Sequence, residues 1–306
     1  MKHLKTLYDL TDSEIQELLA LSIELKGEVR QGRRPQLFHQ RMVTLVFEKP
    51  SLRTRVSFEA AAAQLGGSSV FLSSADAGLN GRESLQDVAR VLSSYSDVIV
   101  LRTFSQQLIE DFAEASACPV VNGLSDERHP CQSLSDIMTI REALPDKPAA
   151  HVTYIGDGNN VACSLAVLTA RLGMPLTVCS PVGYELPSAF VQDLQTRVPG
   201  ARLTQTSDPR EAVKTADVVY TDVWASMGQE QESSQRSDIF RPYQVNAELM
   251  RQAPQDCRFL HCLPAHRGEE VTEEVVEGPM SLVFEQAANR LHVARGLLAW
   301  LTRQAD

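Results

Sequence analysis

The sequence predicts an α/β protein of two domains, each a parallel sheet flanked by helices, with interdomain helices linking the two. Three observations support this fold class. Short β-rich runs alternate with helical patterns along the chain, which is typical of parallel sheets. The alternation comes in two series, divided where Pro145 and Pro148 end a helical pattern. The length of 306 residues suits two domains of ordinary size.

The first series opens with a helix over residues 12–26. Thr11 and Glu14 have the spacing of a capping box, and an apolar stripe at helical spacing starts at Ile15. Strands and helices then alternate. In chain order they are a strand at 42–47, a helix at 53–65, a strand at 69–72, a helix at 83–95, a strand at 97–101, a short strand ending at 121 and a helix at 133–142.

The second series begins near Ala150. Its predicted elements are a strand at 151–155, a helix at 161–172 and strands at 176–179, 217–221 and 258–261. We therefore expect domains at residues 1–140 and 141–306. A C-terminal helix, at about 286–303, carries apolar residues along one face and is expected to pack back on the first domain.

Composition excludes several classes of protein. The net charge of −10 and the lack of a basic block argue against a nucleic-acid partner, so an anionic ligand would need a local arginine cluster. No apolar run approaches the roughly 18 residues of a membrane helix. The first residues lack the features of a signal peptide, which favours the cytoplasm. Six cysteines without a C-x-x-C pair argue against a disulfide framework or a zinc site.

The segment from Phe47 to Arg55 is the strongest candidate for a phosphate site. It lies between a predicted strand and a predicted helix, and helix N-termini present free N–H groups and a positive dipole end. Ser51 and Thr54 add hydroxyl donors, and Arg53 adds a planar fork that matches phosphate oxygens. A capped helix with solvated arginines is an equal alternative from the pattern alone.

Two further places could complete an anion site. Arg102 ends an apolar strand, and ligands of open parallel sheets bind beyond the carboxyl ends of strands. His129 and Gln132 are three residues apart at a helix start, so both could face one carbonyl oxygen and stabilise charge developing there. A solvated strand end and a surface or capping histidine are the alternatives.

The second domain offers candidates for another ligand. The turn from Gly156 to Asn160 lacks the third glycine of a dinucleotide fingerprint, and the next strand ends without the acid that holds a ribose, so a nicotinamide enzyme is disfavoured. Asp222 and Cys262 each follow a predicted strand. If those strands are neighbours, a carboxylate and a thiol meet above the sheet and could orient an ammonium group. A helix cap and a small buried hydrophobe are the alternatives.

The ordered set of motifs resembles the aspartate/ornithine carbamoyltransferase family over nearly the whole chain. Ser51-Leu52-Arg53-Thr54-Arg55, His129-Pro130-Cys131-Gln132 and His261-Cys262-Leu263-Pro264 carry the likeness to the family. Asp222-Val223-Trp224 and Ser226-Met227-Gly228 resemble its ornithine branch in particular. One departure is that Gly78-Leu79-Asn80 stands where many ornithine enzymes have Gln-Leu-Gly, which puts a glutamine contact in doubt.

The resemblance implies transfer of a carbamoyl group from carbamoyl phosphate to the side-chain amine of ornithine, giving citrulline and phosphate in arginine metabolism. The expected carbamoyl phosphate contacts are Ser51, Leu52 through its backbone, Arg53, Thr54, Arg102, His129 and Gln132, completed from the second domain by Cys262, Leu263 and Arg290. The expected ornithine contacts are Asn160, Asp222, Ser226 and Met227. The residues expected to act in catalysis are Arg53, Arg102, His129, Asp222 and Cys262.

The resemblance also implies a homotrimer or an assembly of trimers, no metal and no cofactor. The first domain would bind carbamoyl phosphate and the second ornithine. Alternatives are a carbamoyltransferase for N-acylated ornithine, putrescine or aspartate, and a non-catalytic protein that binds phosphate or an amino acid. A carboxylate at Asp222 would attract an ammonium group and repel the side chain of aspartate.

Overall fold

The computed structural model describes residues 1–79, 81–225 and 233–305. The chain divides into two compact units: Met1–Met138 with the chain from Ala288 onward form unit 1, and Thr139–Ala287 form unit 2. Among these residues, no helix combines the length and the apolar character that crossing a membrane requires.

Unit 1 contains a parallel sheet. Its strands are β1 (Met42–Phe47), β2 (Ser68–Ser73), β3 (Val98–Arg102) and β4 (Val120–Leu124), arranged in the order β2-β1-β3-β4. The helices that accompany it are α1 (Asp12–Arg30), α2 (Leu52–Gln64), α3 (Leu85–Tyr95), α4 (Gln106–Ala115) and α5 (Pro130–Ala143), which continues into unit 2. Every residue of β3 is buried, as expected for a central parallel strand covered on both faces.

The register of this sheet brings the ends of two loops together. Phe47, the last residue of β1, is paired with Arg102, the last residue of β3. The segment that starts α2 and the side chain of Arg102 therefore emerge at the same edge, the carboxyl edge where open α/β sheets bind ligands.

Unit 2 contains a second parallel sheet. Its strands are β5 (Val152–Ile155), β6 (Leu176–Cys179), β7 (Leu203–Thr206), β8 (Val218–Thr221) and β9 (Arg258–His261), in the order β7-β6-β5-β8-β9. The helices that follow its strands are α6 (Asn160–Arg171), α7 (Ser188–Arg197), α8 (Pro209–Val213), α9 (Ser233–Phe240), α10 (Ala247–Met250) and α11 (Glu273–Val276). Ile155, Thr221 and His261 lie side by side in register, so the loops after β5, β8 and β9 start at one edge.

The last helix, α12 (Val283–Ala305), belongs to unit 1 from residue 288 onward. Asn289 Oδ1 accepts a hydrogen bond from Lys26 Nζ at 2.7 Å. The backbones of α1 and α12 also approach closely, because a Cβ at Gly296 would lie only 2.0 Å from Ser22 Oγ. A larger residue at 296 would force these helices apart.

The fold class predicted from the sequence is confirmed, whereas several element limits are corrected. The capping box at Thr11 is present, and α1 extends to Arg30 because the helical pattern continues past the predicted end. Helix α3 starts two residues later than predicted, since Ser84 is its N-cap. The helices α4 and α7 and the strand β7 were not predicted from the sequence. For α4 the available signal was the apolar face of Ile109, Phe112 and Ala113.

Candidate functional site

The start of α2 presents backbone and hydroxyl groups for an anion. Ser51 is the N-cap, with extended backbone, and its Oγ accepts a hydrogen bond from Thr54 N at 3.2 Å. This contact uses a lone pair of the hydroxyl and leaves its proton available to donate. The side chain of Leu52 is 75 % exposed, so only its backbone N–H is suited to a polar ligand.

Three guanidinium groups gather in unit 1. Arg102 and Arg290 are buried, and Arg53 is half-buried. Burial first, and then the charges of Arg290 and Arg53, lower the pKa of Arg102 to about 10. Arg290 Nη2 also donates to Thr54 Oγ1 at 3.5 Å. Guanidinium groups present planar pairs of N–H donors that match phosphate oxygens, so this cluster is suited to a dianion.

His129 lies among the same arginines, immediately before α5. A tight turn sets its place, because Ser125 Oγ accepts from Arg128 N at 3.0 Å and Ser125 N donates to Arg128 O. Burial, followed by the charges of Arg290, Arg102 and Arg53, holds the pKa of His129 well below 6.5. The imidazole is therefore neutral at pH 7, and it can donate one N–H without adding a further positive charge.

Gln132 is buried in the first turn of α5. Its Nε2 donates to Asp136 Oδ1 at 2.8 Å, which fixes the orientation of the amide. The carbonyl oxygen of Gln132 can accept from an N–H donor such as a carbamoyl amide, and the second N–H of its amide can still donate. The role predicted from the sequence, stabilisation of an oxyanion by this amide, stays a prediction.

A set of contacts that was not predicted from the sequence holds these loops together. The Nζ of Lys49 pairs with Asp126 and lies 4.2 Å from the centre of the Phe104 ring. Glu48 Oε2 accepts from Phe104 N at 2.7 Å. The loops after β1, β3 and β4 are thereby joined near the arginine cluster. Glu48 and Lys49 lie just before Pro50 and the Ser51 motif, which was the available signal.

In unit 2, Asp222 and Cys262 are in contact, as predicted for the case that their strands are neighbours. The strands β8 and β9 are adjacent, and Cys262 Sγ donates to Asp222 Oδ1 at 2.9 Å. Asp222 Oδ1 also accepts from Val223 N at 2.8 Å. Asp222 is buried, while Cys262 is the least buried of the six cysteines, all of which are free thiols.

Asn159 contacts this carboxylate, a role that the sequence analysis did not give it. Asn159 Nδ2 donates to Asp222 Oδ2 at 3.0 Å, while its Oδ1 caps α6 by accepting from Val161 N at 3.0 Å. The buried Tyr154 hydroxyl also donates to Asn159 Oδ1, at 3.3 Å. Asn160, which was expected to bind ornithine, follows Asn159 as the first residue of α6 and is half-buried.

The glycine that precedes Asn159 is explained by packing. A Cβ at Gly158 would lie 2.5 Å from the backbone carbonyl of Glu185. The glycine pattern of this turn thus permits a close approach between two chain segments, and it does not require a dinucleotide.

A buried ion pair ties this turn to the loop after β8. Arg236 Nη1 donates to Asp157 Oδ2 at 2.7 Å and to Trp224 O at 3.0 Å. Burial raises the pKa of Asp157, and Arg236 opposes that shift. Ser226 and Met227, also expected to bind ornithine, lie outside the described residues. So does Asn80, the last residue of the Gly78-Leu79-Asn80 segment that differs from the family pattern.

Asp222, His261 and Cys262 each offer a donor atom, and these atoms lie within 4.8 Å of one another. A metal could be held there only if His261 gave up a contact. Its Nδ1 accepts from Leu263 N at 2.9 Å, and its Nε2 lies 3.1 Å from Glu270 Oε1. His261 therefore serves the backbone of its own loop through Nδ1.

The fold and these two groups of side chains define a two-domain α/β protein with an anion-binding cluster in one unit and an acid–thiol pair in the other. The chain belongs to the aspartate/ornithine carbamoyltransferase family. The family's carbamoyl-phosphate-binding domain matches residues 2–142, and its aspartate/ornithine-binding domain matches residues 149–301.

Individual relatives are similar over nearly their full length. The chain is 49 % identical to an ornithine carbamoyltransferase of Bacillus subtilis, over 97 % of this chain and 92 % of the relative. It is 48 % identical to one of Anoxybacillus flavithermus, over 98 % and 96 %. The solved ornithine carbamoyltransferase of Pyrococcus furiosus is 45 % identical, superposes with a TM-score of 0.93 and covers 97 % of this chain and 96 % of its own.

Proposed function

We propose that this protein transfers the carbamoyl group of carbamoyl phosphate to the side-chain amine of L-ornithine, producing L-citrulline and phosphate. The observation that carries the proposal is the cluster of Arg53, Arg102 and Arg290 around a neutral His129. Guanidinium groups match phosphate oxygens in charge and in geometry, and three of them near one imidazole support a phosphorylated dianion as the ligand.

Carbamoyl phosphate would bind to unit 1 at the N-terminus of α2. The phosphoryl oxygens would take donors from Ser51, the Leu52 backbone, Arg53, Thr54 and the other guanidinium groups. His129 would donate its N–H to the carbamoyl oxygen, and Gln132 would accept from the carbamoyl amide. Cys262 and Leu263 remain proposed contacts of the same ligand.

Ornithine would bind to unit 2. The carboxylate of Asp222, held by Asn159 and Cys262, would attract the ammonium groups of the amino acid. Asn160, Ser226 and Met227 remain proposed contacts on the basis of the family resemblance. An aspartate side chain would be repelled by Asp222, which favours the ornithine activity within a family that includes both acceptors.

The reaction would proceed by direct attack. The neutral side-chain amine forms a bond to the carbamoyl carbon, giving a tetrahedral intermediate whose oxyanion His129 and the arginines stabilise. The bond from that carbon to the phosphate oxygen then breaks. The proton that the nitrogen loses passes to the departing phosphate, so no covalent enzyme intermediate is needed.

The assembly and location stay proposals as well. A homotrimer, or an assembly of trimers, and a cytoplasmic location are supported by the family resemblance. Sedimentation of the purified protein at several concentrations would test the trimer. A monomer that turns over at the full rate would contradict it.

An acceptor panel tests the function. Purified protein with carbamoyl phosphate should form citrulline and phosphate in equal amounts from ornithine, and little product from putrescine, N-acetylornithine or aspartate. Preference for aspartate would overturn the substrate assignment. Absence of turnover with any acceptor, together with tight phosphate binding, would favour a binding protein.

Two variants separate the two ligands. Arg53→Ala should lower kcat by at least about 100-fold, since it removes donors to the developing charge. Asp222→Asn should raise the KM for ornithine by about tenfold or more, which corresponds to one charge-assisted contact, and leave phosphate binding unchanged. Arg90→Ala and Asp238→Asn, at exposed positions 70 % and 84 % accessible, are the matched controls.

A further inference from the structure

A buried acid–imidazole pair lies behind the loop that follows β9. Glu270 and His261 are both fully buried. Neither belongs to the residues that the family resemblance implied for either ligand. The loop itself carries Cys262 and Leu263, which are proposed contacts of carbamoyl phosphate. The residues that fix the conformation of this loop therefore affect the proposed reaction.

The hydrogen bonds define the state of the imidazole. Leu263 N donates to His261 Nδ1 at 2.9 Å, so Nδ1 carries a lone pair. In the neutral ring the proton is then on Nε2, which donates to Glu270 Oε1 at 3.1 Å. One ring nitrogen determines the protonation of the other, and Glu270 thus selects the tautomer that can accept from Leu263.

The hydrogen bond from Leu263 N to His261 holds a strained part of the loop backbone. Leu263 has a φ of 59°, in the left-handed region that a residue with a large side chain rarely adopts. Its amide is held by His261, so a contact from the Leu263 backbone to carbamoyl phosphate would have to use the carbonyl oxygen. That oxygen could accept from the carbamoyl amide. The tautomer of His261 therefore decides which backbone group of Leu263 is offered to the ligand.

Other groups keep Glu270 itself in place. Glu270 Oε1 accepts from His266 N at 2.6 Å. His266 Nδ1 lies 4.0 Å from Glu270 Oε2 and 3.6 Å from Glu269 Oε2. Both N–H donors thus reach Oε1 of Glu270, while the exposed imidazole of His266 lies opposite Oε2.

We infer that Glu270 is a positioning residue for carbamoyl transfer: through the Nε2–H tautomer of His261 it fixes the left-handed Leu263 and, with it, the loop that presents Cys262. This inference rests on the proposed function. Glu270 acts through His261, so it is not itself a catalytic group.

The first test compares three variants. In Glu270→Leu the acceptor for His261 is lost, and kcat/KM for carbamoyl phosphate should fall by about 100-fold, as for a displacement of roughly 1 Å in a reacting group. Glu270→Gln keeps an oxygen acceptor of the same size and should stay within about threefold of the parent protein. Glu269→Gln, the neighbouring exposed carboxylate, is the control and should be unchanged.

A double-mutant cycle separates positioning from general destabilisation. His261→Asn places an amide oxygen near the position of Nδ1 and needs no partner at Nε2. In that background, Glu270→Leu should cost less than about twofold in kcat/KM, because the two changes act through one interaction. An undiminished 100-fold loss would overturn the inference. So would near-normal turnover in a folded Glu270→Leu protein, or a 100-fold loss in a folded Glu270→Gln protein.

The tautomer provides a readout that does not depend on turnover. In protein labelled with ¹⁵N-histidine, the His261 signal, assigned with His261→Asn, should show protonation at Nε2 alone. Glu270→Gln should preserve this pattern, and Glu270→Leu should give a mixture of tautomers. A parent protein that forms no citrulline yet keeps the Nε2–H pattern would refute the proposed function and leave the Glu270–His261 relation standing. A parent protein protonated at Nδ1 would refute the inference alone.

Discussion

The thiol of Cys262 donates a hydrogen bond to the carboxylate of Asp222 across the ends of two adjacent strands, with 2.9 Å between Sγ and Oδ1. The two residues are 40 positions apart in the chain, and the register of Thr221 with His261 brings them together. A thiol that donates to a carboxylate is held in one orientation and helps to fix the carboxylate in return.

Replacement of this thiol should affect ornithine binding. Cys262→Ala removes the donor to Asp222, and we expect the KM for ornithine to rise by about tenfold, equivalent to one hydrogen bond to a charged group. Cys262→Ser keeps a donor and should show a smaller increase. Cys118→Ala, at a buried cysteine of unit 1, is the control. If the serine variant is as impaired as the alanine variant, the thiol acts by something other than donation.

Removal of one buried guanidinium should stabilise the ligand-free protein while weakening anion binding. Arg102→Met has a similar volume and relieves the repulsion from Arg290 and Arg53, so the free energy of unfolding should rise by about 1 kcal/mol or more. The increase in Tm on adding saturating phosphate should shrink. Thermal unfolding with and without phosphate measures both effects. A destabilised variant that keeps the full phosphate-induced shift would contradict the clustering of charge.

An amide-to-acid change beside Asp222 should weaken ornithine binding without disturbing the helix cap. Asn159→Asp preserves the Oδ1 that caps α6, and it sets a second carboxylate oxygen about 3.0 Å from Asp222 Oδ2. Like charges at this distance raise the pKa of one carboxyl group, and we expect the KM for ornithine to rise by about tenfold. Asn246→Asp, at the cap of α10, makes the same change away from Asp222. Equal effects in both variants would attribute the loss to the cap.

Stability should depend on pH through His129. The folded pKa of His129 lies well below 6.5, so under acidic conditions the unfolded chain binds a proton that the folded protein does not. The contribution is complete above pH 6.5 and is lost as the pH falls below it, by up to about 1.4 kcal/mol per pH unit. His129→Gln removes this titration, so its free energy of unfolding should decline less steeply than that of the parent protein. Urea unfolding between about pH 5 and 8 gives both curves; parallel curves would show that His129 is not held neutral.

Patterns that act over short distances were predicted well from the sequence. The alternation of buried strands with helices, the Thr11 capping box and the strand-end positions of Arg102, Asp222 and Cys262 follow from periodicity and from the rule that parallel strands end at one edge. To predict these features it is enough to know which strands are adjacent in the sheet.

Contacts that depend on which side chains become partners in the fold could not be predicted in the same way. Asn159 and Asn160 are adjacent in one loop, and only the structure shows which amide reaches Asp222. Arg290 was expected from the second domain; the family's second domain includes it, while contacts group the last helix with unit 1 from residue 288 onward. Glu270 is nine residues beyond His261 in an irregular segment, where periodicity carries no information.

The convergence of Arg53, Arg102 and Arg290 has a consequence for how the proposed reaction ends. Inorganic phosphate left after transfer still relieves the repulsion among these guanidinium groups, so it dissociates slowly. Accumulated orthophosphate would then compete with the incoming donor molecule, and the speed of a full cycle would be governed by escape of the inorganic product at least as much as by making the new carbon–nitrogen bond.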